Sequence, residues 1–275
     1  MSFYTSLSGL KGAQTDMSVI SNNIANAGSI GFKRSTAQFG DIFAASPNQA
    51  TRMIAGQGTQ LNGITQQFTQ GSYEASDKTL DMAIVGEGLF VVKGAPPTNA
   101  VTYSRNGAFS PLDDGRVVDS TGSTLQLLPV DADGNVTNRT LAGAQDFILP
   151  DHAAGNPDAA LVNVSIGTDG LVTATFADGS DQKLGKVAMA TFPAMEGLRP
   201  VGDSHWQSTG DSGQPVIDSA GSGAMGAVRS GALERSNVDI TEELVLLIAA
   251  QRNFQANAKA IEGASSLTQT IIGMR

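Results

Sequence analysis

The sequence predicts a mainly β body with a long α-helix at each end of the chain, and the two helices are expected to pair as a coiled coil. Two patterns predict this class. Apolar residues recur every seven positions in the first and last segments, which is the spacing of one helix laid along another. Between these segments the pattern changes to short apolar runs separated by turn residues, which is typical of all-β domains.

Residues 1–34 form the first predicted element, an N-terminal helix that pairs with the C-terminal one. An ordinary amphipathic helix packed on its own domain explains the same spacing equally well. Gly9 and Gly12 each weaken an isolated helix by roughly 1 kcal/mol relative to alanine, so we expect this helix to need partners. The apolar positions of its repeat are Phe3, Leu7, Leu10, Met17, Ile20 and Ile24.

Residues 76–220 are predicted to form a β-rich body. Apolar runs at 80–85 and 89–92 flank a Gly-Glu-Gly turn, a pattern of strand, turn and strand. The segments on either side, 35–75 and 221–235, are rich in Gly, Ser, Gln and Thr, and we expect extended, weakly packed linkers there. Further turns are predicted at Asn106-Gly107, Asp113-Asp114-Gly115, Asp133-Gly134, Asp169-Gly170 and Asp178-Gly179.

Residues 236–275 are predicted to form the C-terminal helix. Asp239 is placed to cap its start, and Glu242, three residues on, is placed to close a capping box. A helix of about 35 residues would be about 50 Å long, which is more than a body of this size can cover, so part of it is expected to contact other molecules. The apolar positions of its repeat are Ile240, Leu244, Leu247, Phe254, Ala258 and Ile261.

Composition and charge exclude several classes of function. Lys and Arg total 17 against 26 Asp and Glu, and the net charge of -9 argues against nucleic acid or an anionic membrane surface as a partner. Cysteine is absent, which excludes disulfides, thiolate metal sites and a cysteine nucleophile. The first residues lack a basic start followed by an apolar run, so we expect no cleaved secretion signal.

A search for catalytic chemistry yields no candidate. His152 and His205 lie in separate turn-rich segments and are expected to be solvated. Residues 131–135 resemble the opening of a calcium loop, but glycine comes fourth rather than sixth and Ala142 stands where a bidentate glutamate is needed, so a β-turn is expected. We therefore expect no catalytic residue, cofactor, metal or small-molecule substrate, and the protein is not expected to be an enzyme.

Four motifs, in order along the chain, resemble those of the bacterial flagellar rod and hook protein family. The N-terminal motif is SNNIAN at 21–26 with GFKR at 31–34. The second and third are LDMAI with GEGLF at 80–90 and YSRNGAF at 103–109. The C-terminal motif is GALE at 231–234 with SNVD at 236–239 and AQRNF at 250–254. Together they span most of the chain.

The resemblance implies a helical polymer subunit whose terminal helices line an axial tube, with the β domain outside. It implies self-association, contacts with neighbouring rod, hook-cap and hook–filament junction proteins, and export through the flagellar type III apparatus. The assembly residues it suggests are the apolar positions of both helices together with Asn22, Asn23, Asn26, Gly31 and Phe32. The three asparagines are suited to ending the helix and bonding nearby backbone, which would fix the angle between helix and linker.

Motif detail and length favour different members of this family. The first 43 residues, GKVAMATF at 185–192 and AGSG at 220–223 look closest to the hook members. Hook proteins are typically longer, with an outer domain inserted in the middle, whereas the region 125–165 has room for only a short insertion. Residues 46–53 lie where the distal rod protein carries an extra stretch. The prediction is a short hook protein at the cell exterior, with a distal or proximal rod protein of the basal body as the alternative and a secreted β-rich binding module as a remote one.

Overall fold

The structure, a computed structural model, describes residues 2–43, 56–95, 99–153 and 156–273. The chain divides into two compact units. The helical unit comprises residues 1–27, 34–67 and 238–275, and the β unit comprises residues 28–33 and 68–237. The chain therefore passes from one unit to the other after Ala27, Lys33, Gln67 and Asn237.

In the helical unit the two predicted helices are confirmed. Helix α1 spans Ser2–Ala25 and helix α2 spans Ile240–Gly273, and they pack against each other. Helix α1 ends nine residues before the predicted limit at residue 34. At this end the backbone N–H of Asn26 is shared between the carbonyls of Asn22 and Asn23, both at 3.1 Å, and the N–H of Ala27 donates to the Ile24 carbonyl at 3.3 Å, so the last helical bonds tighten into a turn. Asp239 caps α2 as predicted, because its Oδ1 accepts the backbone N–H of Thr241 at 2.7 Å.

A β-hairpin completes the helical unit. Strands β1 (Ser35–Phe43) and β2 (Gly56–Gln66) pair antiparallel and pack on α1. Sequence analysis suggested an extended, weakly packed linker here. The polar side chains of this segment give no apolar pattern that would indicate strands. The strands form nevertheless, because hairpin pairing satisfies the backbone N–H and C=O groups whatever the side chains are. Residues 46–53, which are predicted to lie where the distal rod protein carries an extra stretch, are outside the described residues.

The β unit is built from strands of 2 to 11 residues, and the strand pairs described for it are antiparallel. Residues 141–143 and 195–197 add short 3₁₀ turns. The strands are β3 (Tyr73–Ala75), β4 (Met82–Val85), β5 (Leu89–Lys93), β6 (Val101–Ser104), β7 (Ser110–Pro111), β8 (Val117–Val118), β9 (Thr124–Leu128), β10 (Gln145–Asp146), β11 (His152–Ala153), β12 (Asn156–Ile166), β13 (Leu171–Phe176), β14 (Asp181–Thr191), β15 (Arg199–Gly202), β16 (His205–Gln207), β17 (Val216–Ser219), β18 (Ala227–Ser230) and β19 (Ala232–Glu234).

Strand β5 lies at the centre of this unit, where it pairs with β6, β9 and β14. Successive side chains of a strand point to opposite faces of the sheet, and both faces of β5 are buried. Phe90 and Val92 belong to one hydrophobic core, whereas Leu89 and Val91 belong to a second core with Trp206. Burial on both faces explains the continuous apolar run at 89–92.

Two sequence expectations differ from the structure of this unit. Strands β18 and β19, inside the segment 221–235, pair with β4 and β3, and Val228 and Ala232 are fully buried, so this segment is well packed. Asn106-Gly107 is not a hairpin turn. Gly107 is buried where the chain crosses β4, and a Cβ there would lie 1.6 Å from the Met82 carbonyl oxygen, so only glycine fits.

The β-turn expected at residues 131–135 is present in the structure. Residues 131–135 form a turn in which Asp131 Oδ1 accepts the backbone N–H of Asn135 at 2.8 Å. Among the described residues, no group of three or more histidine, aspartate and glutamate side chains is placed to hold a metal ion. Neither α1 nor α2, over its described residues, combines the length and apolar character of a membrane span.

Candidate functional site

Three ionisable side chains, two basic and one acidic, meet inside the β unit and form what we call the charged cluster: Lys33, Arg105 and Glu234. Lys33 Nζ lies 2.7 Å from Glu234 Oε1, and Arg105 Nε lies 2.7 Å from Glu234 Oε2. The side chains of Lys33 and Glu234 are 0% exposed and that of Arg105 is 4% exposed. Burial of this depth requires that each charge has partners.

The remaining polar atoms of the cluster bond to the backbone. Lys33 Nζ donates to the Thr69 carbonyl at 2.8 Å, and the Gly71 N–H donates to Glu234 Oε1 at 2.9 Å. The Arg105 guanidinium donates to the carbonyls of Ile84, Gly86 and Gly88. The cluster therefore ties segment 28–33, the start of the 68–237 segment, the turn between β4 and β5, and strand β19 into one network.

The two cations on either side of Glu234 favour the ionised form of its carboxylate. Burial by itself would raise the pKa of Glu234, but the charges of Arg105 and Lys33 outweigh burial and lower it. Burial lowers the pKa of Lys33, and Glu234 opposes that effect. Glu234 is the shared partner of both cations, so its removal would leave two buried positive charges uncompensated.

A second polar cluster lies within the helical unit around Asn23. Its Nδ2 donates to the Ser35 carbonyl at 2.8 Å, and its Oδ1 accepts the Ser35 N–H at 2.9 Å. Asn23 Nδ2 also lies 3.2 Å from Glu243 Oε2 on α2. Arg34 pairs with two carboxylates, Glu243 at 2.6 Å and Glu242 at 3.0 Å. One buried asparagine thus joins α1, the start of β1 and α2.

The pairing of Glu242 corrects the sequence prediction of a capping box. Glu242 was expected to reach back to the backbone of Asp239, but its side chain extends to Arg34 instead. Asp239 still accepts the N–H of Glu242, at 3.3 Å. The first turn of α2 is therefore stabilised by a cap from Asp239 and by a cation from the β1 side.

Consecutive residues of the chain are anchored in different units. Lys33 ends the 28–33 segment of the β unit, and Arg34 begins the 34–67 segment of the helical unit. Each forms an ion pair with a buried glutamate of its own unit, Glu234 for Lys33 and Glu243 for Arg34. The chain is therefore held by one ion pair just before it leaves the β unit and by another just after it enters the helical unit.

Replacing Asn23, which is buried, with alanine is expected to destabilise the helical unit by about 1–3 kcal/mol, because the part-buried N–H and C=O of Ser35 both lose their partner. Thermal unfolding followed by circular dichroism at 222 nm measures this loss. Asn22→Ala is the matched control, since the Asn22 side chain is exposed, and its effect should stay within about 0.5 kcal/mol. Equal effects of the two substitutions would contradict the role given to Asn23.

The structure places the predicted assembly residues in three environments. Ile20 and Asn23 are buried, and so is Gly31, whose φ is +67° and whose N–H donates to the Glu234 carbonyl at 2.8 Å. Asn26 is half-buried and donates from its side chain to the Asn22 carbonyl at 2.9 Å. The other half-buried residues are Leu7, Leu10, Met17, Ile24, Phe32, Leu247, Phe254, Ala258 and Ile261, and the exposed ones are Phe3, Asn22, Ile240 and Leu244.

Sequence analysis missed a buried histidine in the β unit. His205, expected to be solvated, is 4% exposed, with its Nε2 2.7 Å from Asp119 Oδ2 and its Nδ1 2.8 Å from the Asp203 carbonyl. Asp119 also accepts the N–H groups of Thr121 and Ser123. The partners are 86 residues apart, so no local pattern indicates the pair. His152 is exposed, as expected.

This pair gives the β unit a pH dependence. Burial alone would lower the pKa of His205, but the hydrogen bond and charge of Asp119 outweigh it and raise the pKa. Burial alone would raise the pKa of Asp119, but the bonds from His205 and Thr121 lower it. The His205 contribution to stability is complete below its unfolded pKa of about 6.5 and is lost as the pH rises through its folded pKa.

The contribution of Asp119 to stability has the opposite dependence on pH. It is present above the unfolded pKa of about 3.9 and is lost as the pH falls through the lowered folded pKa.

Because the contribution of His205 is lost at high pH, we expect the free energy of unfolding of the β unit to decline above about pH 6.5 relative to a His205→Gln variant. Urea titrations between pH 5.5 and 9, followed by Trp206 fluorescence, measure the difference. Parallel pH profiles of the two proteins would refute the prediction.

Three regions of this chain match models of known protein families, and each region contains one residue of the charged cluster. Residues 3–33 match a model of flagella basal body rod proteins, and residues 83–174 match the D1 domain model of flagellar hook protein FlgE/F/G. Residues 229–274 match the C-terminal model of flagellar basal body rod FlgEFG proteins. Lys33, Arg105 and Glu234 each fall in a different one of these regions.

A whole-length relative decides the family. The flagellar basal-body rod protein FlgG of Bacillus subtilis is 31% identical over 285 residues, an alignment that covers 100% of this chain and 98% of the relative. The chain belongs to the flagellar hook and basal-body rod family. The FlgG rod protein of Agrobacterium fabrum is 32% identical over 276 residues, covering 96% of this chain and 95% of the relative.

Hook proteins also align with the whole chain. The flagellar hook protein FlgE of Salmonella typhimurium is 27% identical over 413 residues, covering 100% of both. These relatives therefore include both hook proteins and rod proteins. Membership explains why the four sequence motifs occur in order, and it makes this chain a structural component of the flagellum at the level of the family.

Proposed function

We propose that this protein is a structural subunit of the bacterial flagellar hook that polymerises, through its helical unit, into the curved tube that joins rod and filament. The observation that carries the proposal is the uncovered apolar surface of α2. Ile240, Leu244, Val245 and Ile248 are 46–63% exposed although α1 and the hairpin pack in the same unit. Apolar surface of this extent on one helix favours contact with another protein surface.

Polymerisation follows from the kind of contact this surface can make. If the uncovered face of α2 meets a different face of the next copy, the contact is heterologous, and such contacts build open helical assemblies. In this proposal the helical unit supplies the contacts between copies, including the apolar positions predicted from the sequence. The β unit forms the body of each subunit, and the charged cluster holds the chain where it enters that body.

A rod protein of the basal body is the second candidate, and chain length favours it. The alignment with the Bacillus subtilis rod protein spans 285 positions, close to the 275 residues of this chain, whereas that with the Salmonella typhimurium hook protein spans 413. The hook candidate rests on motif detail at 1–43, 185–192 and 220–223. Either role implies contacts with neighbouring rod, hook-cap or hook–filament junction proteins and export through the flagellar type III apparatus.

The position of the protein in the flagellum distinguishes the candidates. Hook–basal bodies are purified and labelled with gold-conjugated antibody raised against the β unit. Label along the curved segment outside the cell is the result expected for the hook. Label confined to the straight shaft within the cell envelope would overturn the hook proposal in favour of the rod, and label on neither would overturn both.

A further inference from the structure

A groove of about 280 Å³ lies within the helical unit, bounded by α1, α2 and the hairpin. Its walls include Gly12 and Asp16 of α1, Phe39 of β1, and Asn253 and Asn257 of α2. The groove is polar on the α2 side and apolar at Phe39, whose side chain is 39% exposed. It is large enough for the end of a long side chain and open at the surface.

Two glycines shape this groove in different ways. A Cβ at Gly9 would lie 2.7 Å from Asn257 Oδ1, so any larger residue at this position requires the Asn257 side chain to move. A Cβ at Gly12 would meet Phe39 at 3.5 Å, an ordinary contact. Alanine would therefore fit at Gly12 and favour the helix by about 1 kcal/mol, yet the residue present leaves the groove unfilled.

The groove presents a carboxylate that lacks a counter-charge. Among the described residues, no Lys, Arg or His side chain forms an ion pair with Asp16, and Glu243, whose charge acts on Asp16, is itself acidic and pairs with Arg34. Burial raises the pKa of Asp16, and the charge of Glu243 raises it further. Asn257 Nδ2 donates to the Asn253 carbonyl at 2.9 Å, which leaves Asn257 Oδ1 as a second acceptor. A cation with several donors would complement both groups.

The helical unit carries a matching cation on another face. Arg252 is exposed, and no acidic side chain among the described residues pairs with it. It follows Val245 and Ile248 at spacings of seven and four residues, so the three share one face of α2, and both apolar residues are at least half exposed. Adjacent residues of a helix are rotated by about 100°, so Arg252 lies on a different side of α2 from Asn253 and is not among the residues that line the groove.

We propose that the groove of one copy receives the Arg252 guanidinium of a second copy, with Val245 and Ile248 of that copy lying beside Phe39. A planar guanidinium carries five donors in a fixed arrangement, which suits a carboxylate and an amide oxygen together. Groove and arginine lie on different faces of the same unit, so the contact is heterologous and continues from copy to copy. This inference rests on the proposed polymerisation and names the residues that specify it.

Charge reversal in the full-length chain tests the pairing. Asp16→Arg and Arg252→Asp are each expected to raise the concentration at which the purified chain polymerises by about tenfold or more, since each places like charges together. The double variant carrying both changes restores the pair with its sign reversed and should polymerise within about threefold of the wild type. Sedimentation measures the polymer, and electron microscopy verifies that it is tubular.

Matched controls separate pairing from folding. Lys259→Asp makes the same change of charge on the same face of α2, seven residues from Arg252, and should change the polymerisation concentration less than twofold. Circular dichroism at 222 nm checks that each variant keeps its helices. If a reversal unfolds the helical unit, Asp16→Asn and Arg252→Gln replace the single reversals, and each should still weaken polymerisation several-fold.

The outcomes distinguish this inference from the proposed function. Rescue by the double variant supports the pairing. Single variants that polymerise like the wild type, or a double variant as defective as the singles, overturn the pairing and leave polymerisation itself intact. A wild-type chain that forms no polymer at any concentration overturns the proposed function and the pairing with it.

Discussion

Glu234→Ala is expected to lower the free energy of unfolding of the β unit by about 3–5 kcal/mol, the range for removing one member of a buried ion pair. The substitution leaves the Lys33 ammonium and the Arg105 guanidinium facing each other without a carboxylate. It also leaves the Gly71 N–H without its acceptor. A loss of this size is a large part of the 5–15 kcal/mol that stabilises a typical domain.

Urea unfolding followed by Trp206 fluorescence measures this effect. Trp206 is the one tryptophan of the chain, and it is buried in the β unit, so its signal reports that unit alone. Glu74→Ala is the control, because Glu74 and its partner Arg235 are 3.6 Å apart and more than half exposed, and exposed pairs contribute about 0–1 kcal/mol. A loss below about 1 kcal/mol for Glu234→Ala would show that the cluster does not hold the β unit together.

The charged cluster connects parts of the β unit that are far apart in the sequence. It joins segment 28–33, which is separated from the rest of the β unit by the hairpin, to β19, which lies about 200 residues further along the chain. Sequence proximity therefore does not hold these segments together. Apolar contacts would stabilise such a meeting without fixing which residues face each other, whereas an ion cluster requires each donor to find its acceptor. We infer that the cluster contributes most to the alignment of segment 28–33 with β19.

The parts of this fold that sequence analysis predicted are those with local causes. The seven-residue spacing on α1 and α2, the Asp239 cap and the Asp-Gly turns all depend on residues within one or two turns of each other. The hairpin at 35–66 was missed because its strands are polar and half-exposed, so they lack the alternation that marks a strand on a core. Its pairing depends on the partner strand rather than on its own apolar residues.

The candidate site was predicted only in part, for the same physical reason. Asn23 was expected to bond nearby backbone, and its bonds to Ser35 lie 12 residues away. Lys33, Arg105 and Glu234 all occur in the motifs that carry the family resemblance, but the motifs alone do not predict that the three side chains meet. Arg105 and Glu234 are 129 residues apart, and an ion pair between distant segments leaves no periodicity. A charged residue inside an otherwise apolar or glycine-rich motif was the available signal.

Leu247→Glu is expected to abolish polymerisation while the β unit stays folded. Leu247 lies on the side of α2 that carries the seven-residue repeat and is half-buried in the helical unit. An ionised carboxylate cannot be buried there without a partner, so the packing of α2 in that unit is expected to fail, and with it the surface through which copies meet. The same reasoning applies to Phe254, one repeat further along α2.

Separate signals follow the two units in this experiment. Polymer is measured by sedimentation and electron microscopy, helical content by circular dichroism at 222 nm, and the β unit by the urea transition of Trp206. Leu247→Met is the matched control, because a volume-conserving apolar exchange costs less than about 1.5 kcal/mol and should leave polymerisation intact.

If Leu247→Glu also abolished the Trp206 transition, the two units would unfold as one, and assembly could not be assigned to the helical unit alone. A normal transition together with lost polymer would assign assembly to the helical unit and leave the charged cluster, with its partners all inside the β unit, to hold the body of the subunit.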